Sequence, residues 1–230
     1  MNYVDAHCHL NVDELPTDIA VAITNATHPA DWSRVAHHDG RGGVYGAVGV
    51  HPWRVANLPD DWAEKMRELL LSNPNLMIGE IGLDKNHPDM GTQVDVFITQ
   101  LQMAATLGRV AHIHCVGAWD RLLDALRATV PPAIVLHGTA TSPEMIRALL
   151  KYNVYFSFGR AICNPAHARA HKALQATPQN RILSESDSDN PMNVVGVVQK
   201  MSEILNRPLA EIKNTIYNNA MGLLKNGQIA

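Results

Sequence analysis

Short apolar runs alternate with longer amphipathic segments along most of the chain. Runs with the length and apolar character of buried strands lie at 4–10, 19–23, 44–50, 76–81, 110–114, 133–137, 154–158 and 181–187. Segments whose apolar residues recur with helical spacing lie at 29–38, 60–72, 92–107, 118–128, 144–151, 165–176, 190–205 and 210–224. This alternation predicts an α/β fold in which helices join parallel strands.

Two departures from strict alternation refine that prediction. The polar segment 10–18, between the first two strands, is too short for the usual crossover helix, so the first helix is expected to be short or missing. Two helical segments follow the last strand, which adds an extra C-terminal helix. We therefore expect a distorted (β/α)8 TIM barrel, with functional side chains at the carboxyl ends of its strands.

The composition is that of a globular protein with a sizeable core. The chain has 230 residues, of which 46% are hydrophobic and 18% charged, and no linker or low-complexity tract divides it, so we expect residues 1–230 to form one domain. A net charge of −3 gives no basic footprint for tight, sequence-independent nucleic-acid binding. Three cysteines without a C-x-x-C pair, and no apolar run of membrane-spanning length, predict a cytoplasmic protein that does not enter a membrane.

Two histidines are spaced two residues apart at the end of the first predicted strand. His7 and His9 should point to the same face, because side chains alternate along a strand. Such a pair is common by chance in a chain with 12 histidines. Ionisable residues also end later strands, and a barrel gathers all strand ends at one mouth: these are His51, Glu80, His114, His137 and Asp187.

This convergence predicts a metal centre. Imidazoles and carboxylates are costly to bury together, whereas a divalent cation satisfies them jointly. Without His51, which suits substrate binding better, four imidazoles and two carboxylates remain, and six ligands exceed one tetrahedral site. We therefore expect two divalent ions, with Glu80 able to bridge them and a water between them that is deprotonated near neutral pH. Mixed nitrogen and oxygen ligation suits Zn²⁺, Mn²⁺, Fe²⁺ or Co²⁺, and Mg²⁺ less well.

The residues at these strand ends form motifs that resemble a known family. The resemblance extends over nearly the whole chain and consists of D-A-H-C-H-L at 5–10, G-V-H-P at 49–52, G-E-I-G-L-D at 79–84, I-H at 113–114, L-H at 136–137, E-S-D at 185–187 and N-A at 219–220. In this order the motifs resemble those of the TatD-type metal-dependent hydrolases (TatD DNase family) of the amidohydrolase-like superfamily. The resemblance implies a distorted TIM barrel.

The resemblance also implies roles for the strand-end residues. One metal would be held by His7, His9, Glu80 and Asp187, and the second by Glu80, His114 and His137. Asp187 would accept the proton of the nucleophilic water, so Glu80 and Asp187 are the catalytic candidates. The implied reaction is phosphodiester hydrolysis, often as a deoxyribonuclease, with a nucleic-acid strand end or a small phosphodiester as the substrate.

The chain departs from the family pattern among the residues expected to contact substrate. Trp53 stands where members often have a second histidine after G-x-H-P, and its indole can stack on a base or pack over the barrel. Val116 stands where an arginine is usual. Arg160 can supply a cation or be an ordinary loop charge. The substrate-contact candidates are His51, Trp53 and Arg160.

These departures leave two other functions open. The first is a metal-dependent hydrolase of another bond type, an amide, a lactone or a phosphomonoester, because such a centre suits several electrophiles. The second is a non-catalytic metal-binding or partner-binding protein. The near-complete ligand set argues against the second.

Overall fold

Eight parallel strands form one sheet in the computed structural model, which describes residues 2–11 and 14–226. Each strand pairs with the next in chain order. The strands are β1 (Tyr3–Cys8), β2 (Ile19–Asn25), β3 (Val44–Val48), β4 (Met77–Asp84), β5 (Ala111–Val116), β6 (Ile134–Leu136), β7 (Val154–Phe158) and β8 (Ile182–Ser184). They read as nearly continuous apolar runs because parallel strands of a barrel are covered on both faces, and all eight residues of β4 are buried.

Helices follow most of the strands and surround the sheet. They are α1 (Trp32–His38), α2 (Trp62–Ser72), α3 (Met90–Thr106), α4 (Trp119–Ala128), α5 (Pro143–Leu149), α6 (Ala168–Ala176), α7 (Val194–Leu205) and α8 (Leu209–Asn226). Local sequence fixes some of their ends: the Ser142 side chain accepts a hydrogen bond from the Met145 N–H at the start of α5, where Pro143 needs no partner for its nitrogen. Among the described residues, no helix has the length and hydropathy needed to span a membrane.

Both predicted departures from strict alternation are confirmed. The described residues between β1 and β2 contain no helix, and α8 is the extra C-terminal helix, packed against β1 and β8. The predicted strand ends differ more from the structure. The run predicted at 181–187 leaves the sheet after Ser184, and Asp187 then has a φ of 48°, which an extended strand cannot contain.

Hydrogen bonds between β1 and the segment after β8 close the barrel at its mouth. The Asp187 N–H donates to the His7 carbonyl oxygen over 3.0 Å, and the His9 N–H donates to the Ser188 carbonyl oxygen over 2.9 Å. Deeper in the barrel, the Ser184 hydroxyl donates to the Val4 carbonyl oxygen over 2.7 Å. These bonds bring the first strand and the segment after the last strand together, so Asp187 lies beside His7 and His9.

Candidate metal centre

The strand ends converge on the carboxylate of Glu80, which is 3% exposed at the mouth of the barrel. Three imidazoles approach its Oε1 atom: His137 Nε2 at 2.7 Å, His51 Nε2 at 3.1 Å and His114 Nδ1 at 3.3 Å. Two others approach its Oε2 atom, His7 Nε2 at 3.4 Å and His9 Nε2 at 3.6 Å. One carboxylate therefore stands between two sets of nitrogen donors.

Asp187 adds a second carboxylate on the Oε2 side of Glu80. Its Oδ1 atom lies 3.2 Å from His9 Nε2 and 3.9 Å from His7 Nε2. Three overlapping groups of donors have ligand atoms within 4.8 Å of one another: His7, Glu80 and His137; His7, His9 and Asp187; and His51, Glu80 and His114. All six predicted ligands thus lie together, and His51, predicted to contact substrate, lies among them.

The ionisable groups of the cluster perturb one another strongly. Burial alone would raise the pKa of Glu80, but the charges of His137 and His7 and the hydrogen bonds from His114 and His137 outweigh burial and lower that pKa well below its usual range. Burial also opposes a charge on His137, yet the carboxylates of Glu80 and Glu185 raise its pKa well above the usual value. Burial, and then the nearby His137, lower the pKa of His7. This shift favours the neutral form of the His7 imidazole, which offers a lone pair to a metal.

The donors present fit a divalent cation. The rings of His7 and His137 stack at 3.9 Å with an interplanar angle of 7°. Both ring nitrogens of His7 are buried without a hydrogen-bond partner among the described residues. Such orphaned nitrogens are costly unless something satisfies them. Imidazole nitrogen and carboxylate oxygen are the ligands that zinc and similar transition metals prefer, so the donor chemistry and the unsatisfied atoms both match a cation at this position.

Residues outside the cluster orient its histidines. His9 Nδ1 lies 3.0 Å from the Asn25 carbonyl oxygen, which leaves Nε2 facing Glu80 and Asp187. His114 Nε2 lies 3.2 Å from Asp84 Oδ2, which leaves Nδ1 facing Glu80. Metal-binding histidines usually donate their second ring N–H to an oxygen in this way.

Glu185 places a buried carboxylate beside the other ring nitrogen of His137. Its Oε1 atom accepts the Gly138 N–H over 2.7 Å and lies 3.7 Å from His137 Nδ1. A Cβ atom on Gly159 would lie 2.9 Å from Glu185 Oε1, so only glycine leaves room for this carboxylate. Neither Asp84 nor Glu185 has a predicted role from the sequence.

Comparison with known proteins identifies the family of the chain. The sequence model of the TatD related DNase family matches residues 4–225. The chain belongs to this family. The six predicted ligands and the closed mouth thus occur in a TatD-family barrel.

Relatives support this assignment along the chain. An uncharacterized metal-dependent hydrolase of Methanocaldococcus jannaschii is 25% identical over 248 residues, which cover 98% of both proteins. The 3′-5′ ssDNA/RNA exonuclease TatD of Erwinia tasmaniensis is 31% identical over 150 residues, 63% of this chain and 58% of that protein. The crystal structure of a TatD homologue from Escherichia coli superposes with a TM-score of 0.87 at 22% identity, over 96% of this chain and 97% of the other. That superposition confirms the predicted TIM barrel.

A cleft of about 250 Å³ opens above Glu80 in this TatD-family barrel. Trp53 and Arg54 form part of its wall, and Trp53 is 55% exposed, so it is not packed into the core. Arg160 lies outside this cleft, on a neighbouring cavity of about 160 Å³ that Asp187 also lines. Two of the three substrate-contact candidates therefore line the main cleft, and Arg160 lies beside it.

Asp5 lies beneath the centre, and its ionisation should make the free energy of unfolding depend on pH. Burial raises the pKa of Asp5 to about 8, although hydrogen bonds from Ser186 oppose the shift. The unfolded chain releases this proton near pH 4, whereas the folded chain keeps it to about pH 8. Between these values the unfolded state binds fewer protons, so the free energy of unfolding falls as pH rises, by at most about 1.4 kcal/mol per pH unit, and levels off above pH 8.

Asp5→Asn is expected to flatten this decline in the chelator-treated protein, because the amide does not titrate. Urea unfolding at pH 5, 7 and 8.5 measures the effect, and the surface substitution Asp60→Asn is the matched control. Equal pH slopes in native protein and Asp5→Asn would contradict the raised pKa.

Proposed function

We propose that this chain is a divalent-metal-dependent phosphodiesterase that hydrolyses single-stranded nucleic acid from an end. The observation that carries the proposal is the position of Glu80, whose two oxygens face separate sets of donors. A carboxylate in that position suits two cations held side by side. A pair of cations stabilises both the attacking and the leaving oxygen when a phosphodiester is displaced in line. The named activity of the Erwinia relative supports the direction of attack, from a 3′ end.

The residues divide this work between them. We assign His7, His9 and Asp187 with Glu80 to one ion, and His114 and His137 with Glu80 to the second. When bound, the ions supply Lewis acidity and lower the pKa of water. Asp84 fixes the ring of His114 by a hydrogen bond, and the charge of Glu185 lies beside the ring of His137, so little reorganisation is needed when charge develops on the phosphate.

Asp187 is the proton acceptor in this proposal. The hydrogen bond with His9 holds the pKa of Asp187 well below its usual range, against the opposing effect of burial, and its side chain is 50% exposed to the cleft. An ionised, accessible carboxylate beside the ligands can take a proton from the attacking water at the oxygen that is not bonded to His9. Thus Glu80 is shared between the two ions, and Asp187 both helps to hold one ion and accepts the proton.

The cysteines support a cytoplasmic setting for this enzyme. Cys8, Cys115 and Cys163 are all unpaired, and the first two are buried. Burial raises the pKa of the Cys115 thiol to about 12, so this thiol is inert at neutral pH. Three persistent thiols are typical of a reducing compartment.

The test is hydrolysis by protein reconstituted with Zn²⁺, Mn²⁺, Co²⁺ or Mg²⁺. Substrates are a single-stranded oligonucleotide, bis(4-nitrophenyl) phosphate, a phosphomonoester, an amide and a lactone. We expect cleavage of both phosphodiesters, and chelation to lower the rate at least about a hundredfold, because metal catalysis contributes several kcal/mol. Metal-dependent cleavage of the amide, lactone or monoester without phosphodiester cleavage would favour another hydrolase, and no turnover of any substrate would favour a binding protein.

A further inference from the structure

Trp53 is a large apolar side chain exposed at the mouth of the metal centre. It is 55% exposed and lines the same cleft as Glu80, His114 and Asp187. Its backbone lies in the short 3-10 helix Pro52–Arg54, directly after β3 and His51. A large aromatic surface left in water beside a reactive centre is typical of a binding surface.

The indole of Trp53 is held rigidly. Its Nε1 atom donates to Asp84 Oδ2 over 2.7 Å, and the His87 ring stacks on it with centroids 4.4 Å apart and planes 21° apart. The His51 ring meets it edge-on at 5.0 Å. Because His87 covers one face, the exposed area lies mainly on the opposite face. A flat surface fixed in advance binds another flat group at little entropic cost.

Arg54 adds a positive charge to the same wall. Its side chain is exposed and lines the cleft, and no carboxylate of the described residues pairs with its guanidinium group. A guanidinium beside an aromatic face matches the two repeating parts of a nucleic-acid strand, the phosphate and the base. A small phosphodiester without a base would contact the guanidinium group but not the aromatic face.

The distance from the indole to Glu80 sets which base it contacts. The His51 ring contacts both groups, 5.0 Å from the indole and with Nε2 3.1 Å from Glu80 Oε1. The His114 ring also contacts both, 6.2 Å from the indole and with Nδ1 3.3 Å from the same oxygen. A base stacked on Trp53 therefore belongs to a nucleotide directly next to the phosphate at Glu80.

We propose that Trp53, backed by His87 and flanked by Arg54, is a stacking subsite for the nucleobase next to the cleaved phosphodiester. This inference rests on the proposed function, because it takes the reacting phosphate to lie at Glu80. The contacts are to the face of the base, so the subsite accepts any base and favours strands that carry one there over abasic strands.

The test compares an oligothymidylate strand with strands carrying one abasic nucleotide on the 5′ or the 3′ side of the cleaved bond. For each abasic strand, kcat/KM of the complete strand is divided by kcat/KM of the abasic strand. The larger of the two ratios is the base preference. We expect roughly tenfold in the native metal-loaded protein, because one stacked base contributes about that much. Trp53→Leu should bring the ratio close to one, and Trp53→Phe, which keeps an aromatic face, should retain most of it.

Controls separate stacking from general damage. Leu71 is 53% exposed on α2, away from the mouth, so Leu71→Ala removes an equally exposed apolar side chain and should leave the base preference unchanged. Arg54→Gln should lower the dependence of log(kcat/KM) on log salt by about 0.7, the value for one phosphate contact on a single strand, whereas Arg67→Gln on α2 should not change it.

Binding provides a measurement that does not need turnover. Strand addition should quench tryptophan fluorescence in a metal-loaded Asp187→Asn protein, and the quenching should be smaller with the abasic strand and in the Trp53→Phe background. Two results would overturn the subsite: a base preference in Trp53→Leu as large as in the native protein, or a base preference near one in the native protein. If bis(4-nitrophenyl) phosphate is still cleaved, the proposed function is unaffected by either result. Failure to cleave any phosphodiester would instead overturn the proposed function.

Discussion

Glu80→Ala is expected to bind fewer than two metal ions per chain and to lose activity by about a thousandfold or more, since the metal centre contributes several kcal/mol to catalysis. The substitution removes both oxygens that face the two donor sets, and with them the one group shared by both proposed ions. It also removes the carboxylate that does most to raise the pKa of His137, so this buried imidazole loses its ion-pair partner in the absence of metal. Elemental analysis of the purified variant measures the metal, and hydrolysis of bis(4-nitrophenyl) phosphate measures activity.

Two further variants make the Glu80 result specific. Glu80→Gln keeps the shape of the side chain and loses its charge, so it should also bind less metal than the native protein. Glu64→Ala removes an exposed carboxylate in the first turn of α2 and should change neither quantity. Two ions per chain with native activity in Glu80→Ala would show that Glu80 is not the bridge.

The positions of the cluster residues follow from sequence because barrel geometry leaves few choices. His7, Glu80, His114 and His137 each come at or near the end of an apolar run, and parallel strands of a barrel present these ends at one mouth. Their family motifs then distinguish ligands from ordinary polar residues. The structure brings all of them within reach of Glu80, and the roles given to each remain proposals.

The sequence also indicates two carboxylates beside the ligands, Asp84 and Glu185, although neither is among the predicted strand-end residues. Asp84 follows Glu80 by four residues on β4, so the two share a face of the strand, and Asp84 reaches His114. Glu185 precedes Asp187 by two residues in the E-S-D motif, but both follow the end of β8, so its signal is the motif and not strand alternation. Reading alternate positions along β4 would have found Asp84.

The contacts of Trp53 had no comparable signal. Its partner Asp84 is 31 residues away in sequence, and His87 lies in the loop after β4. Their contact depends on how the β3 and β4 loops fold over the mouth, which neither periodicity nor motif spacing encodes. The end of β8 was also missed, because the turn at Asp187 arises from backbone bonds to β1. Sequence thus predicts which residues meet at the mouth better than how the loops cover it.

Asp187→Asn is expected to keep the fold and to lower kcat by about a hundredfold to ten-thousandfold, the range contributed by general acid–base catalysis. The fold should survive because the Asp187 N–H bond to the His7 carbonyl belongs to the backbone, and asparagine tolerates the positive φ of 48°. The amide keeps the size of the side chain but cannot accept a proton. Thermal unfolding followed by circular dichroism checks the fold, and single-turnover cleavage of an oligonucleotide measures the chemical step.

The pH profile distinguishes proton transfer by Asp187 from a purely structural role. The hydrogen bond with His9 lowers the pKa of Asp187, so its carboxylate stays ionised down to below about pH 4, the usual value for aspartate. The ionisation of Asp187 therefore does not limit activity above that pH, whereas Asp187→Asn should be slow at every pH. The exposed neighbour Asp189 gives the matched control, because Asp189→Asn changes the same charge two residues away and should retain native rates.

Near-native turnover in Asp187→Asn between pH 6 and 8 would mean that another group accepts the proton. Glu80 would then be the remaining carboxylate of the donor groups to examine for that step.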